Sequence, residues 1–121
     1  MLKTAATLKT FFGSFDLPAY MDDSVPEYVS LPYITYPLIE PEWGEQASFY
    51  CQIWYKKKQL GNLLAKADAL LKAIGEGIQF EQVGGYIVIY PSTPLIQVLT
   101  DEETDRAYIN LIIRAYHIPG D

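Results

Sequence analysis

The sequence predicts an α+β fold, with a mainly antiparallel sheet of about five strands and one long and one short helix packed on one face. Two observations predict it. The stretch from Leu60 to Ile74 repeats apolar residues at helical spacing, and shorter stretches rich in aromatic and β-branched residues surround it. The resulting order is α-β-β-α-β-β-β. With 121 residues, half of them hydrophobic, the chain is expected to form a single domain over residues 1–121.

A short helix is predicted first, from Leu2 to Phe12. Its apolar residues recur at helical spacing, and Gly13 follows as a stop. The next segment, Asp16 to Ser30, is rich in proline, aspartate and serine and has no periodicity. We therefore expect an extended connector there.

The first predicted strand runs from Tyr33 to Ile39. Pro32, Pro37 and Pro41 lie in or beside it. Because proline cannot donate a hydrogen bond to a neighbouring strand, we expect an edge strand or a bulged one.

The second predicted strand, Ala47 to Lys56, alternates between two faces. Phe49, Cys51, Ile53 and Tyr55 share the face expected to form core against a helix. The other face carries Tyr50, Gln52, Trp54 and Lys56, and its mixed character suits either solvent or a neighbouring chain.

The helix from Leu60 to Ile74 is the clearest element, because its apolar stripe is unbroken. Asp68 and Lys72 stand four residues apart in the favourable order, and Gly75 is placed to end the helix.

Three more segments complete the sheet. Ile78 to Val83 and Tyr86 to Tyr90 flank Gly84-Gly85, which predicts a β-hairpin. Pro91 to Arg106 is predicted to be a long loop, apolar in its first half and acidic in its second. The last strand is predicted from Ala107 to Ile118.

Composition argues against several classes of function. A net charge of −6 disfavours nucleic-acid binding, which needs a basic surface. Cys51 is the only cysteine, so no disulfide forms within the chain and a reducing compartment is the simplest expectation. The start of the chain lacks the apolar core of a signal peptide, and the apolar runs are too short to span a membrane.

Residue types that could support catalysis are scarce. A metal site needs several converging ligands, yet the chain has one histidine and one cysteine, on separate predicted strands. His117 is interpreted as a strand-end histidine and Cys51 as a small buried hydrophobe. Gly75, Gly84 and Gly85 follow a helix or join strands, so they do not form a phosphate loop. We assign no catalytic, cofactor-binding or metal-ligating residue and no cofactor, and we predict that the chain is not an enzyme.

Two features suit contact with another chain instead. Lys56, Lys57 and Lys58 end the second strand; they form either a solvated end or a charged rim. The apolar half of the Pro91–Arg106 segment either packs on its own domain or docks on another chain. Ten tyrosines exceed what a core of this size needs. The candidate interface residues are Tyr36, Trp43, Tyr50, Trp54, Lys56, Lys57, Lys58, Leu95, Ile96, Asp101, Glu102, Glu103 and Asp105.

Six segments, taken in order, resemble a known family. LPYITYPLIEPEW, IWYKKK, ADALLKAIGEG, GGYIVIY, PLIQ and YINL, spanning about Leu31 to Leu111, are similar to the tail-terminator or tail-completion proteins of long-tailed bacteriophages and prophages of Gram-positive hosts. Proteins of this kind are often labelled minor capsid or tail-component proteins.

The resemblance implies a non-catalytic α+β subunit of the virion tail neck, assembled in the host cytoplasm. It implies a ring, generally a hexamer, that caps the tail tube protein and docks the head connector or stopper protein. DNA would pass through the lumen without specific binding, and no membrane is involved. On this basis we expect Asp101–Asp105 of one subunit to approach Lys56–Lys58 of the next. A stopper or connector position in the same neck remains an alternative, as do a host module that binds a small molecule and, least favoured, a hydrolase that uses His117.

Overall fold

The structure, a computed structural model, describes residues 3–118, which form two helices and six strands. They are α1 (Lys3–Phe12), β1 (Ala19–Met21), β2 (Tyr33–Tyr36), β3 (Gln46–Lys56), α2 (Leu60–Ile74), β4 (Ile78–Gln82), β5 (Gly85–Thr100) and β6 (Thr104–His117). The α+β class and the two helices agree with the prediction. Leu2, the predicted start of α1, lies outside the described residues.

One mixed sheet holds all six strands, in the order β1-β2-β3-β6-β5-β4. β1 runs parallel to β2, and every other neighbouring pair is antiparallel. β1 was not predicted: it is three residues long and lies within the segment expected to be a connector. Because β1 pairs with the outer side of β2, the prediction that the first strand lies at the edge of the sheet is wrong.

Both helices pack on the same face of the sheet. α2 lies over β3, β6 and β5, whereas α1 touches β1 and β2 as well as β4. Since β2 and β4 are far apart in the strand order, the sheet curls until α1 can reach both. Rings mark the two contacts: Phe12 stacks on Tyr36 of β2, and Phe11 meets Phe80 of β4 edge to face. The buried apolar side chains form one cluster between the helices and the sheet.

The helix predicted from Leu60 to Ile74 is confirmed with the same bounds, although Leu60 and Leu64 of its apolar stripe stay exposed. Leu63, Ala67, Leu70 and Ile74 are buried. Gly75 follows with a positive φ of 56°, and its N–H donates to the carbonyl oxygen of Leu71 at 2.8 Å. The expected ion pair is present, with Lys72 Nζ 2.9 Å from an Asp68 carboxylate oxygen.

The alternation predicted for the second strand is also confirmed. Phe49, Cys51, Ile53 and Tyr55 of β3 are buried under the helices, while its Gln52 and Trp54 point the other way. The predicted hairpin is present, but its turn is Val83-Gly84 and not Gly84-Gly85. Gly85 already belongs to β5, where a Cβ atom would lie 1.9 Å from the Tyr116 carbonyl oxygen.

The predicted loop from Pro91 to Arg106 is wrong. β5 continues to Thr100, and β6 begins at Thr104, so this segment is the far half of a long hairpin. Among residues 3–118, β4 pairs with β5 only as far as Ile89, so Pro91 and Pro94 lie where β5 has a strand on one side alone, a place where proline is tolerated. A bulge between Pro91 and Ile96 takes up the surplus residues.

Candidate functional site

The face of the sheet that the helices leave uncovered is rich in aromatic and arginine side chains. We call it the open face; its rings come from Tyr33, Tyr50, Trp54, Tyr86, Tyr90, Tyr108 and Tyr116, and its positive charges from Lys56, Arg106 and Arg114. They share one side because strand side chains alternate and the register aligns these positions across the strands. The composition matches the centres of protein interfaces, which are enriched in tyrosine, tryptophan and arginine.

At one end of the open face, three side chains stack across three strands. Tyr33 of β2 lies against Trp54 of β3, with 5.8 Å between ring centroids, and the Arg106 guanidinium of β6 lies 4.5 Å from the Trp54 ring centroid. The indole N–H of Trp54 donates to the Thr35 hydroxyl at 2.9 Å. These contacts hold Trp54 flat against the sheet.

At the other end, Tyr86 and Tyr116 stack with 4.8 Å between centroids, and Arg114 lies 5.3 Å from the Tyr116 ring centroid. Within residues 3–118, Arg114 makes no ion pair, and its buried Nε has no hydrogen-bond partner. Arg106 also has a buried Nε without a partner, although its Nη2 pairs with Asp101 at 3.1 Å. Of the two arginines, Arg114 is therefore the one that makes no ion pair among residues 3–118.

A shallow cleft of about 290 Å³ lies between these two ends, where the β5 bulge approaches β3 and β6. Tyr50 and Pro94 give it apolar walls, and Asn110 and Gln97 give it amides. The Asn110 amide donates to the Pro94 carbonyl at 2.6 Å and to the Gln97 side-chain oxygen at 3.2 Å, which fixes the bulge over β6.

The outer edge of the distal half of β5 forms a second exposed surface. We call Ile96–Thr100 the free edge, because it pairs with β6 on one side and β4 ends before reaching the other. It carries no charge and no proline. Val98 is 44% exposed and Leu99 43%. Long uncharged edges with unpaired backbone groups are templates for pairing with another strand.

Two leucines on one flank of α2 form a further exposed apolar surface. Lys66 marks one flank of α2, since its Nζ donates to the Phe15 carbonyl at 2.7 Å. Leu60 and Leu64 lie on the opposite flank, because each residue advances about 100° around a helix. Both are more than 40% exposed.

Charged residues meet at the end of the β5–β6 hairpin, and they pair within one chain. Lys57 Nζ lies 4.0 Å from the carboxylate of Asp105, which is only 3% exposed and also accepts the Gln59 N–H at 3.2 Å. The Lys57 N–H donates to the Glu103 carbonyl at 3.1 Å. The expectation that these groups meet between subunits is therefore wrong for Lys57 and Asp105; Lys56, Lys58, Glu102 and Glu103 stay exposed.

Asp101 organises the turn at this end. Its carboxylate accepts the N–H groups of Glu103 and Thr104 and the Thr104 hydroxyl, all within 2.9 Å. These hydrogen bonds, with Arg106 adding a smaller contribution, lower the pKa of Asp101 to about 2. Asp101 is therefore a turn-forming residue.

The remaining candidate interface residues differ in exposure. Tyr36 is 4% exposed because Phe12 covers its ring, so the prediction of an interface role is wrong for it. Trp43 lies half-buried at the opposite end from the hairpin tip, with its ring centroid 5.7 Å from that of His117. Leu95 is exposed, whereas Ile96 packs partly against the core.

Groups considered for catalysis do not come together. Cys51 is fully buried, and burial raises the pKa of its thiol to about 12. His117 is exposed at the end of β6. Among residues 3–118, no three His, Cys, Asp or Glu side chains are grouped so as to hold a metal ion. Across the same residues, neither helix has the length and hydropathy to cross a bilayer.

Sequence reasoning assigned no role to the two arginines and missed the free edge. Arg106 and Arg114 share the phase of Tyr108 and Tyr116 in β6, so the alternation of that strand could have placed them on one face with the tyrosines. The free edge carried no comparable signal, because an edge depends on which strand is absent beside it. Comparisons of the chain with protein-family models, with curated proteins and with solved structures found no match.

Proposed function

We propose that this chain is a structural assembly protein of a long-tailed phage neck, a tail terminator whose copies form a ring. The ring caps the tail tube and joins it to the head connector or stopper protein. The sequence resemblance supplies this identification. The observation that carries it furthest is the free edge with its apolar surroundings, a surface suited to contact with another protein chain.

One of the segments that carry the resemblance reaches this surface: PLIQ, residues 94–97, enters the free edge at Ile96. The others lie beside it, GGYIVIY in the β4–β5 turn and the proximal half of β5, YINL in β6 and ADALLKAIGEG in the second half of α2. A ring needs a heterologous contact, in which one surface of a subunit meets a different surface of the next. The free edge supplies one such surface, with backbone groups that can extend the sheet into a neighbour.

The charge distribution supports a passage for DNA. No lysine or arginine occurs from Thr10 to Tyr55, a stretch that contains seven acidic residues, namely Asp16, Asp22, Asp23, Glu27, Glu40, Glu42 and Glu45. An acidic lumen would repel the phosphate backbone and let the genome slide without specific binding. In this proposal the protein resides in the virion neck after assembly in the host cytoplasm.

The proposal is tested by the mass of the purified protein in solution, alone and with tail tubes, followed by negative-stain imaging. A ring supports it. The variant Val98→Lys places a charge on the free edge and is expected to abolish ring formation while the monomer stays folded. Val83→Lys is the matched control, because Val83 is 86% exposed at the β4–β5 turn, away from the free edge. Rings that form equally well from both variants would exclude the free edge as the contact.

A host module that binds a small molecule is the second candidate. A groove of about 590 Å³ between α1 and β4, lined by Phe11, Phe80, Thr7 and Thr10, is the observation in its favour. A chain that stays monomeric in the presence of tail tubes, and whose melting temperature rises with a ligand seated in this groove, would replace the terminator proposal.

A further inference from the structure

We propose that the open face binds the β1–β2 loop of a second copy of this chain, with Tyr28 entering the bulge cleft and the loop carboxylates facing Arg114. This inference names a contact for the assembly proposed above and rests on it. The structure provides both halves of the contact, on different parts of the molecule.

The open face is the receiving half. In an acidic protein it carries two arginines, and the acidic residues near them lie at its margins: Asp101, already bonded within its turn, Glu81 of β4, opposite Tyr86, and Glu45, whose carbonyl oxygen accepts the Ala115 N–H beside Arg114 but whose side chain makes no ion pair with it. Arg114 is held by Tyr116, has no ion pair among the described residues and keeps a buried, unbonded Nε. A carboxylate from outside the chain would give that arginine the bonded partner it lacks.

The loop between β1 and β2 is the inserting half. From Asp22 to Ser30 it contains three acidic residues and no basic one. Tyr28 is 92% exposed, more than any other large apolar or aromatic side chain of the described residues. Tyrosine rings left fully in water are typical anchors for a partner pocket, because they bring a large contact area at a small loss of side-chain entropy.

Spacing along both halves matches. Asn110 borders the bulge cleft and Arg114 lies four residues further along β6, about 13 Å away at 3.3 Å per residue. Asp23 precedes Tyr28 by five residues, about 17 Å when fully extended. The loop turns at Asp22–Asp23 and at Glu27–Tyr28, so with Tyr28 beside Asn110 the segment between the two turns has to extend for Asp23 to reach Arg114.

The other acidic segment of the chain is a poorer match. At the hairpin end, Asp101 is held by its turn, Asp105 is buried, and Lys56–Lys58 lie beside them. The β1–β2 loop offers exposed carboxylates, of which Asp23 accepts a hydrogen bond from the neighbouring Ser24 hydroxyl, together with the exposed ring of Tyr28. Its first residue, Asp22, shares a cleft with Tyr50 at the β1 side of its own open face, whereas Arg114 lies on β6, beyond β3, so a contact between the loop and the Arg114 end of a second copy is heterologous and can propagate from copy to copy.

Two variants test the contact by mixing. The loop variant carries Asp22→Lys, Asp23→Lys and Glu27→Lys; the face variant carries Arg114→Glu. Each alone is expected to stay monomeric under conditions where the wild type assembles. A mixture keeps one intact contact, the loop of the face variant on the face of the loop variant, so it should give a 1:1 heterodimer and nothing larger. Glu42→Lys, Glu76→Lys and Glu102→Lys together make the control with the same change of net charge, away from both halves of the contact, and it should assemble like the wild type.

A second measurement separates this inference from the proposed function. A peptide of residues 21–31 is titrated into the full-length protein, and amide resonances are followed by NMR. Saturable shifts at Asn110, Gln97 and Arg114, lost with Arg114→Glu and with a peptide carrying Tyr28→Ala, support the contact even if no ring is seen. A wild-type ring together with a peptide that does not bind by about 1 mM overturns the inference and leaves the terminator proposal standing. The inference is also overturned if the loop variant and the face variant, each alone, assemble as efficiently as the wild type.

Discussion

The two halves of β5 belong to one strand but differ in how deeply their side chains are buried. In the proximal half, Ile87 and Ile89 are fully buried between β4, β6 and the helices. In the distal half, Val98 and Leu99 are just as apolar, yet each keeps more than 40% of its surface exposed, and only β6 pairs with them. The difference shows that hydrophobicity alone does not set burial; the presence of a neighbouring strand and a covering helix does.

The largest expected contrast is in stability. Ile89→Ala should lower the free energy of unfolding by about 2–5 kcal/mol, because the Ile89 side chain is fully buried and its truncation leaves a cavity in the core. Val98→Ala should lower it by about 0.5 kcal/mol, since the lost contacts are partly with water. Urea unfolding of both variants measures this, and equal losses would mean that the distal half is buried within the monomer.

Substitution of Asp105 tests whether its carboxylate anchors the β5–β6 hairpin to the start of α2. Asp105→Ala should cost about 1–3 kcal/mol, because the Gln59 N–H at the start of α2 loses its acceptor and Lys57 loses its partner. Glu102→Ala, an exposed neighbour, is the control and should be close to neutral. If urea unfolding gives the same stability for both variants, the carboxylate does not anchor α2 to the hairpin.

Backbone exchange should sharpen the comparison at single residues. Amides from Tyr86 to Ile89 have strands on both sides, so all should be protected from hydrogen exchange. From Ile96 to Thr100, only the amides that point toward β6 should be protected, giving an alternating pattern in the monomer. Assembly through the free edge should also protect the amides that point away from β6. If those amides still exchange in a sample whose rings are seen by imaging, the subunit contact lies elsewhere.

The smallest expected effect is local and depends on pH. The pKa of Asp101 is lowered to about 2, below its unfolded value of about 3.9, so its stabilisation of the turn is complete above the unfolded value. That stabilisation declines as the pH falls below about 4 and is lost as the pH passes through about 2. An NMR titration of the Asp101 side chain should show this low midpoint, and Thr104→Val, which removes one donor, should raise it.

Local sequence patterns predicted individual helices and strands, whereas the pairing of the strands determined the features that the sequence did not predict. The apolar stripe predicted α2 and the alternation predicted β3, because each of these elements keeps one face toward the core along its whole length. The loop prediction for residues 91–106 failed because Pro91 and Pro94 suggest a break when the neighbouring strands are unknown. The parallel β1–β2 pair depends on a contact between distant residues, Tyr20 and Thr35, that no local pattern encodes. The stacks on the open face depend on register in the same way.

The β5 bulge separates the two halves in one further respect. Pro91 pairs with Leu111 and Ile96 with Ile109, so five steps along β5 match two along β6, and three residues are surplus. Because three is odd, the helix-facing positions change from odd numbers, such as Ile87 and Ile89, to even ones, such as Ile96 and Val98. Each half of β5 pairs with β6 independently, so an insertion or deletion in one half can be taken up at the bulge without shifting the other half. The outer edge is thereby free to diverge in evolution while the interior of the same strand stays unchanged.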